Sequence, residues 1–227
     1  MKKFFSTLLS VLVVVSCNDN YRYTVSGTIA GANEGDKIVL FFSPNGFDKD
    51  IIETTTIADG KFFFDGEIGE STICYIGCEN DKDSFYSIFF LEPGKITADI
   101  RKERSLFYGT PNNERNRICE DTLAHYLQVL SDIENRFYTD SLSAEEMTTL
   151  GIKGYETQKA LVEHIHNCVE ENSDNLFGLF MLVVYNDFFA PEEFSRLIKE
   201  VPREFANNNN RFLYDIAVEI AEKKRRD

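Results

Sequence analysis

The sequence predicts an α+β chain, an N-terminal antiparallel β-sandwich followed by an all-α helical subdomain. Three observations carry that reading. From Tyr21 to about Phe107, apolar residues alternate with a period of two. Turn signals break the alternation roughly every eight to twelve residues, with no helical stretch between them. After "FYGTPNN" the apolar spacing changes to steps of three and four. Short strands joined by tight turns describe a sandwich or barrel, and the helical run after them describes a compact α subdomain.

Before the first strand the chain has a different character. Lys2 and Lys3 precede an apolar stretch, Phe4 to Val15, in which Ser6, Thr7 and Ser10 are the polar interruptions. A basic start followed by a short apolar run is the pattern of a secretory signal. The run is about twelve residues, well short of the ~20 that cross a bilayer as a helix. Val14, Val15 and Ser16 then stand directly before Cys17. Two aliphatic residues, a small one and a cysteine resemble the lipobox of bacterial lipoproteins, whose signal peptidase cuts before a lipid-modified cysteine. Cys17 is expected to carry diacylglycerol on its thiol and a further acyl chain such as palmitate on its freed amine. More than one chain gives stable membrane attachment where a single one gives marginal binding. The alternative is a secreted protein cut near the same place, with Cys17 an ordinary thiol. The organisation expected is therefore residues 1–16 as a lipoprotein signal peptide, 17–21 as anchor and short tether, 22–110 as the sandwich and 111–227 as the helical subdomain.

Each strand has its own signal. "YTVSGTI" places Tyr23, Val25, Gly27 and Ile29 on one face, and "NEGD" turns the chain into "KIVLFF". A looser "SPNGFDKD" loop leads to "IIETTTI". In "ADGKFFFDGEI", Asp59 and Gly60 lie between two β-rich runs, a strong hairpin signal because both residues tolerate positive φ. "STICYIGC", "SFYSIFFLE" and "KITADI" follow, the last two joined by Pro93-Gly94.

Among the helices, Cys119, Leu123, Leu127, Leu130, Ile133 and Phe137 form the first apolar stripe. "SAEE", Ser143 to Glu146, is a capping box, in which hydroxyl and carboxylate each satisfy an orphan backbone donor. Leu161, Val162, Ile165 and Val169 mark the second helix. "LFGLFMLVVY" is apolar nearly all round but too short to span a membrane, which suits a buried central helix. Ala190-Pro191-Glu192-Glu193 opens the fourth helix with proline at its first position. Phe212, Leu213, Ile216, Ala217, Ile220 and Ala221 mark the fifth.

Composition narrows the function class. Without the leader, 22 basic residues face 38 acidic ones, a net charge of −16. That balance argues against nucleic acid, which needs a basic face, and against attachment through anionic headgroups. The chain is 43% hydrophobic, enough for a real core. Cys74 and Cys78 fall on one face of a strand, ~13 Å apart and too far for a disulfide. Cys119 and Cys168 lie in separate helical stretches and are free to meet. No C-x-x-C is present, so redox chemistry of the thioredoxin type is not expected.

The elements "YTVSGTIAGANEGDKIVLFF", "TTTIADGKFFFDGEI", "FFLEPGKITADI" and "FYGTPNNERN" resemble the domain of unknown function 4369. That module is a β-sandwich at the N-terminus of many lipoproteins of diderm bacteria. "NCVEENSDNLFGLFML", "APEEFSRLIKEVP" and "IAEKKRRD" resemble the linker region of those proteins. In many relatives a thioredoxin-like domain of the peroxiredoxin and thiol-disulfide reductase kind follows. Here the sequence stops at Asp227, where that domain would begin, so the resemblance implies no catalytic residue.

The remaining candidates have bland readings. His164 and His166 stand two apart, which on a helix points them in opposite directions, whereas metal-binding histidines sit four apart. His125 reads as a flanking or packed residue. Glu145-Glu146 and Glu192-Glu193 occupy first turns, where negative charge suits the helix dipole. "DKD" (Asp48 to Asp50) and "ENDKD" (Glu79 to Asp83) lack the spaced ligands of an EF-hand loop. The rings of "KFFFDG" and "SFYSIFFLE" fall on both strand faces, either as a partner surface or, the reading preferred, as cover for the junction with the helices. "EKKRRD" reads as a frayed last turn. The function expected is that of a non-catalytic, lipid-anchored cell-envelope protein, a binding or scaffold module. It would be attached to the outer rather than the inner membrane, with its body in the periplasm or on the cell surface. Its partners would be the membrane, through the lipid, and a protein or small molecule; no nucleic acid, metal or cofactor is expected. The alternative is an accessory subunit acting in trans with a thioredoxin-like thiol-disulfide oxidoreductase. A third reading, a cryptic enzyme, needs convergent carboxylates in a pocket.

Overall fold

The computed structural model describes residues 21–79, 86–139 and 141–226. Eight strands come first: β1 (Arg22–Ile29), β2 (Lys37–Phe42), β3 (Asp50–Thr56), β4 (Phe62–Glu67), β5 (Thr72–Cys78), β6 (Ser87–Leu91), β7 (Gly94–Ile100) and β8 (Leu106–Tyr108). They form two four-stranded sheets in the orders β4-β1-β7-β8 and β3-β2-β5-β6. The period of two becomes burial: Tyr23, Val25 and Ile29 point into the sandwich with Ile38, Leu40, Phe62, Phe64, Cys74, Ile76 and Phe89.

Two pairings go beyond the sequence signals. β1 and β7 run parallel, although their other neighbours are antiparallel. Gly27 sits in that parallel register opposite Ala98, and a Cβ there would overlap the Ala98 carbonyl. The Asp59-Gly60 turn forms as expected, with φ of 52° and 72° and both backbone bonds exchanged between Ala58 and Lys61. Its arms then part at once, because β3 pairs with β2 in one sheet and β4 with β1 in the other. The hairpin signal marks the corner where the chain changes sheets.

Five helices follow: α1 (Pro111–Thr139), α2 (Ala144–Glu170), α3 (Leu176–Val184), α4 (Pro191–Glu200) and α5 (Arg211–Lys224), with 3-10 turns at Asn186–Phe188 and Arg203–Ala206. The Ser143 capping box closes both of its hydrogen bonds at the start of α2. α3 is buried along most of its length, and Pro191 opens α4. The α1 stripe is narrower than its spacing suggests. Cys119, Leu123 and Ile133 are buried, but Leu127 and Phe137 are exposed, so part of the apolar stripe has no covering neighbour.

The outer face of β5 and β6 carries the helices. Phe90 and Ile73 leave the sandwich on that side and join the helical core, where Phe90 meets Phe177 and Phe180 edge-on. Two asparagines at the start of α1 hold the junction. The Asn113 carboxamide accepts from the Phe90 N–H at 3.1 Å and donates to the Phe90 carbonyl at 2.7 Å. Glu92, 4% exposed, accepts from the Asn112 N–H at 2.8 Å and from its side chain at 2.9 Å. That places a carboxylate at the positive end of the longest helix. At the far end of the chain, Asn210 donates to the Ser71 carbonyl and the Asn209 N–H donates to Glu70.

Candidate functional site

Cys74 and Cys78 are buried free thiols on the inward face of β5, and burial pushes the Cys74 thiol up, which leaves it protonated and inert. Cys119 and Cys168, 49 residues apart in sequence, come together as a disulfide between α1 and α2 with a Cα separation of 6.6 Å. A bridge closing a loop of that size removes about 4 kcal/mol of chain entropy from the unfolded state in the loop-closure account.

His164 lies one helical turn before Cys168 and on the same side of α2. Its Nε2 is 3.5 Å from the Cys168 sulfur and 3.2 Å from the Cys119 carbonyl oxygen. A carbonyl oxygen can only accept, so Nε2 carries the proton and donates there, with the sulfur as its second neighbour. The Tyr126 ring meets the imidazole in an edge-type contact, centroids 6.2 Å apart. The three donor atoms of Cys119, His164 and Cys168 lie within 4.8 Å of one another, a spacing that also suits a metal. With the sulfurs joined to each other, neither is the thiolate that a metal needs.

The second histidine of the pair points elsewhere, as its spacing requires. His166 contacts the Phe188 carbonyl through Nε2 at 2.8 Å, pairs through Nδ1 with Glu193 at 3.1 Å and stacks on Phe189. His125 is exposed and flanks Tyr126. Glu146 is occupied by the Ser143 cap. Asp48 accepts from Asn45 inside its own loop, while most of the "ENDKD" stretch lies outside the described residues. The C-terminal cations satisfy carbonyls: Lys224 donates to the Phe189 carbonyl, and Arg225 and Arg226 donate back into the last turn of α5.

The aromatic strands divide between the two readings. Phe89 fills the sandwich and Phe90 the junction, while Phe41 stacks on Tyr75 and takes Lys49 over its ring. Phe63 and Ile88 remain exposed. A cleft of ≈ 610 Å³ opens where the two halves meet, lined by Glu70 and Ser71 from the sandwich side and by Asn112, Asp174, Asn175, Glu204 and Asn208 among the helical residues. Three carboxylates line it, Glu70 from one side and Asp174 and Glu204 from the other. Glu70 accepts from the Asn209 N–H and Asp174 from the Asn175 side chain. Two features escape the sequence reading. The Asn112–Glu92 and Asn113–Phe90 clamps show no sequence signal, whereas the His164–Cys168 spacing of four residues is visible in the chain.

Cys17 and the residues before it, Val14, Val15 and Ser16, lie outside the described residues. In the described residues, no helix is long and apolar enough to cross a membrane. Residues 23–116 match the model of a family described as a domain of unknown function, DUF4369. That stretch covers the sandwich and ends just past Asn112 and Asn113, so it includes the clamp that seats α1. No curated protein and no solved structure matches the chain.

Proposed function

Taking residues 23–116 as a DUF4369 module, we propose that the chain is a lipid-anchored cell-envelope protein that binds or positions another component without catalysing a reaction. The observation that carries the reading is the sequence Val14-Val15-Ser16-Cys17 after a basic, apolar leader, with four residues between Cys17 and the start of β1 at Arg22. Cys17 is the lipid attachment point, and Lys2 and Lys3 orient the leader. The Cys119–Cys168 disulfide supports the same address, since such bonds persist in oxidising compartments outside the cytoplasm. Binding is assigned to the cleft at the junction, whose amides and carboxylates suit a polar, hydrogen-bonding or cationic ligand.

The test is metabolic labelling with palmitate in a diderm bacterial host. Label on the wild-type chain and none on Cys17→Ser supports the anchor; equal labelling of both, or of neither, overturns it. Hydrolytic or transfer activity of the purified chain that falls with Glu204→Gln would replace the binding role with that of an enzyme. A second reading, an accessory acting in trans with a thioredoxin-like oxidoreductase, is favoured by the Cys119–Cys168 bond beside His164. Crosslinking in intact membranes decides it: recovery of a thiol-redox protein supports this role, and its absence removes it.

A further inference from the structure

The other cysteines of the sandwich show what an inert sulfur looks like here, buried among aliphatic and aromatic side chains. The α1–α2 bridge is different in three respects. Its two cysteines differ in burial, Cys119 being 2% exposed and Cys168 9% as whole residues. The N–H-bearing nitrogen of an imidazole stands 3.5 Å from the Cys168 sulfur. That imidazole is itself held in place by the Cys119 carbonyl and the Tyr126 ring, on the half-buried side of the helix pair. A purely structural bridge needs no proton carrier beside it.

We propose that Cys119 and Cys168 form an exchangeable redox couple, opened by an external dithiol, with His164 as the proton-bearing group that serves Cys168. The inference rests on the second functional reading, in which a dithiol protein acts on this chain. In the first step a thiolate of the dithiol attacks the Cys168 sulfur. A new S–S bond forms to it, the Cys119–Cys168 bond breaks, and the electron pair leaves on Cys119, which takes up a proton. In the second step the remaining thiolate of the dithiol attacks its own sulfur in the mixed disulfide. The reagent closes its own disulfide and expels Cys168 as a thiolate. The dithiol is oxidised and releases two protons; the chain gains two electrons and one proton on Cys119, and a second proton when the Cys168 thiolate is protonated. The charge of the second step appears on the Cys168 sulfur, 3.5 Å from the His164 Nε2, whose N–H can turn to it from the Cys119 carbonyl. In the reverse direction the same pairing holds Cys168 as the nucleophile and leaves Cys119 to resolve. The exchange is stoichiometric.

The test uses the full chain with Cys17→Ser, equilibrated in glutathione or dithiothreitol buffers. Acid quenching, thiol labelling and peptide mass spectrometry then read the state of each cysteine, while circular dichroism monitors the fold. The expected result is reduction of Cys119–Cys168 in the folded protein, with trapped glutathione on Cys168 and none on Cys119. In the reduced protein, iodoacetamide labels Cys168 at pH 7 about tenfold faster than in His164→Gln, because one unit of thiol pKa is a tenfold change in thiolate. Gln keeps the bond to the Cys119 carbonyl but cannot act as an acid, and its rate profile moves to higher pH. Reduction that occurs only with unfolding overturns the proposal, as does glutathione trapped on Cys119, or an alkylation profile that His164→Gln leaves in place. Should Cys119→Ala fold, its lone Cys168 must show the same dependence on His164. A couple that exchanges while membranes yield no redox protein supports the inference and removes the partner. An inert pair removes the inference and leaves a partner that docks without it.

Discussion

The sandwich and the helical half are built on different terms. The sandwich encloses a core drawn wholly from its own strands and loops, from Tyr23 to Phe107. The helical core contains Phe90, a residue of β6, with Ile73 of β5 packed against it. Adjacent residues of one strand therefore serve two cores, Phe89 the first and Phe90 the second. The helical half is further tied by a covalent bridge between its two longest helices, whereas the described cysteines of the sandwich stay unbridged. The difference teaches that the dependence runs one way: the helices need the sheet's outer face, and the sheets close without them.

Truncating the two phenylalanines in turn separates the two cores. Both are 1% exposed. Each alanine should cost about 3–5 kcal/mol, the usual range for a buried phenylalanine. Phe89→Ala should lower stability in a single transition, while Phe90→Ala should release the helices first, so that helical ellipticity falls at lower urea than protection of the strand amides. Coincident transitions in Phe90→Ala would show one cooperative body and remove the asymmetry.

Alkaline pH probes each half separately. Burial, with Glu53 nearby, pushes the Tyr23 phenol up to about 12, and burial with Glu120 raises that of Tyr185 in the helical half. Both folded values lie above the unfolded one, so the folded chain holds the extra protons. Stability is full below about pH 10 and falls as pH rises from there through the folded values. For Tyr23 the loss approaches about 2–3 kcal/mol by pH 12. Tyr23→Phe should flatten the fall seen by strand probes, and Tyr185→Phe the fall seen by helical ellipticity.

Removing the clamp loosens the helices from the sheet. Asn113→Ala leaves the Phe90 N–H and carbonyl without their partner, at a cost of about 2 kcal/mol. The loss should appear in the docking of α1 and spare amide protection inside the sandwich, measured by hydrogen exchange. The smallest effect belongs to Ser143→Ala, which removes the capping box of α2 for about 1 kcal/mol. It should shift the thermal midpoint slightly and change no strand amide.

What the sequence displays and what it hides follow the same division. Local signals are legible because their cause is local: Asp59-Gly60 turns, Ser143 caps, Pro191 starts a helix, and the alternation along "TICYIGC" places Cys74 and Cys78 together on the inner face. The α1 stripe overstates burial because spacing shows that a face is apolar and says nothing of whether a neighbour covers it. The parallel run of β1 beside β7 is not legible, since no residue in either strand encodes its neighbour. The meeting of Cys119 and Cys168 depends on how two long helices pack, which no window of sequence contains. His164 stands between these cases. Its distance to Cys168 along the helix is readable, but the Cys119 carbonyl that fixes its proton is not.

Asn113 has a consequence for how neighbouring molecules behave. β6 is the outermost strand of its sheet, and the two main-chain groups of Phe90 point away from β5 into a carboxamide instead of open water. An unpaired rail of that kind is where a strand from another copy would zip on. A single side chain from the following helix fills the berth at Phe90, so the contact that seats the helices also hinders copies at high concentration from pairing edge to edge there.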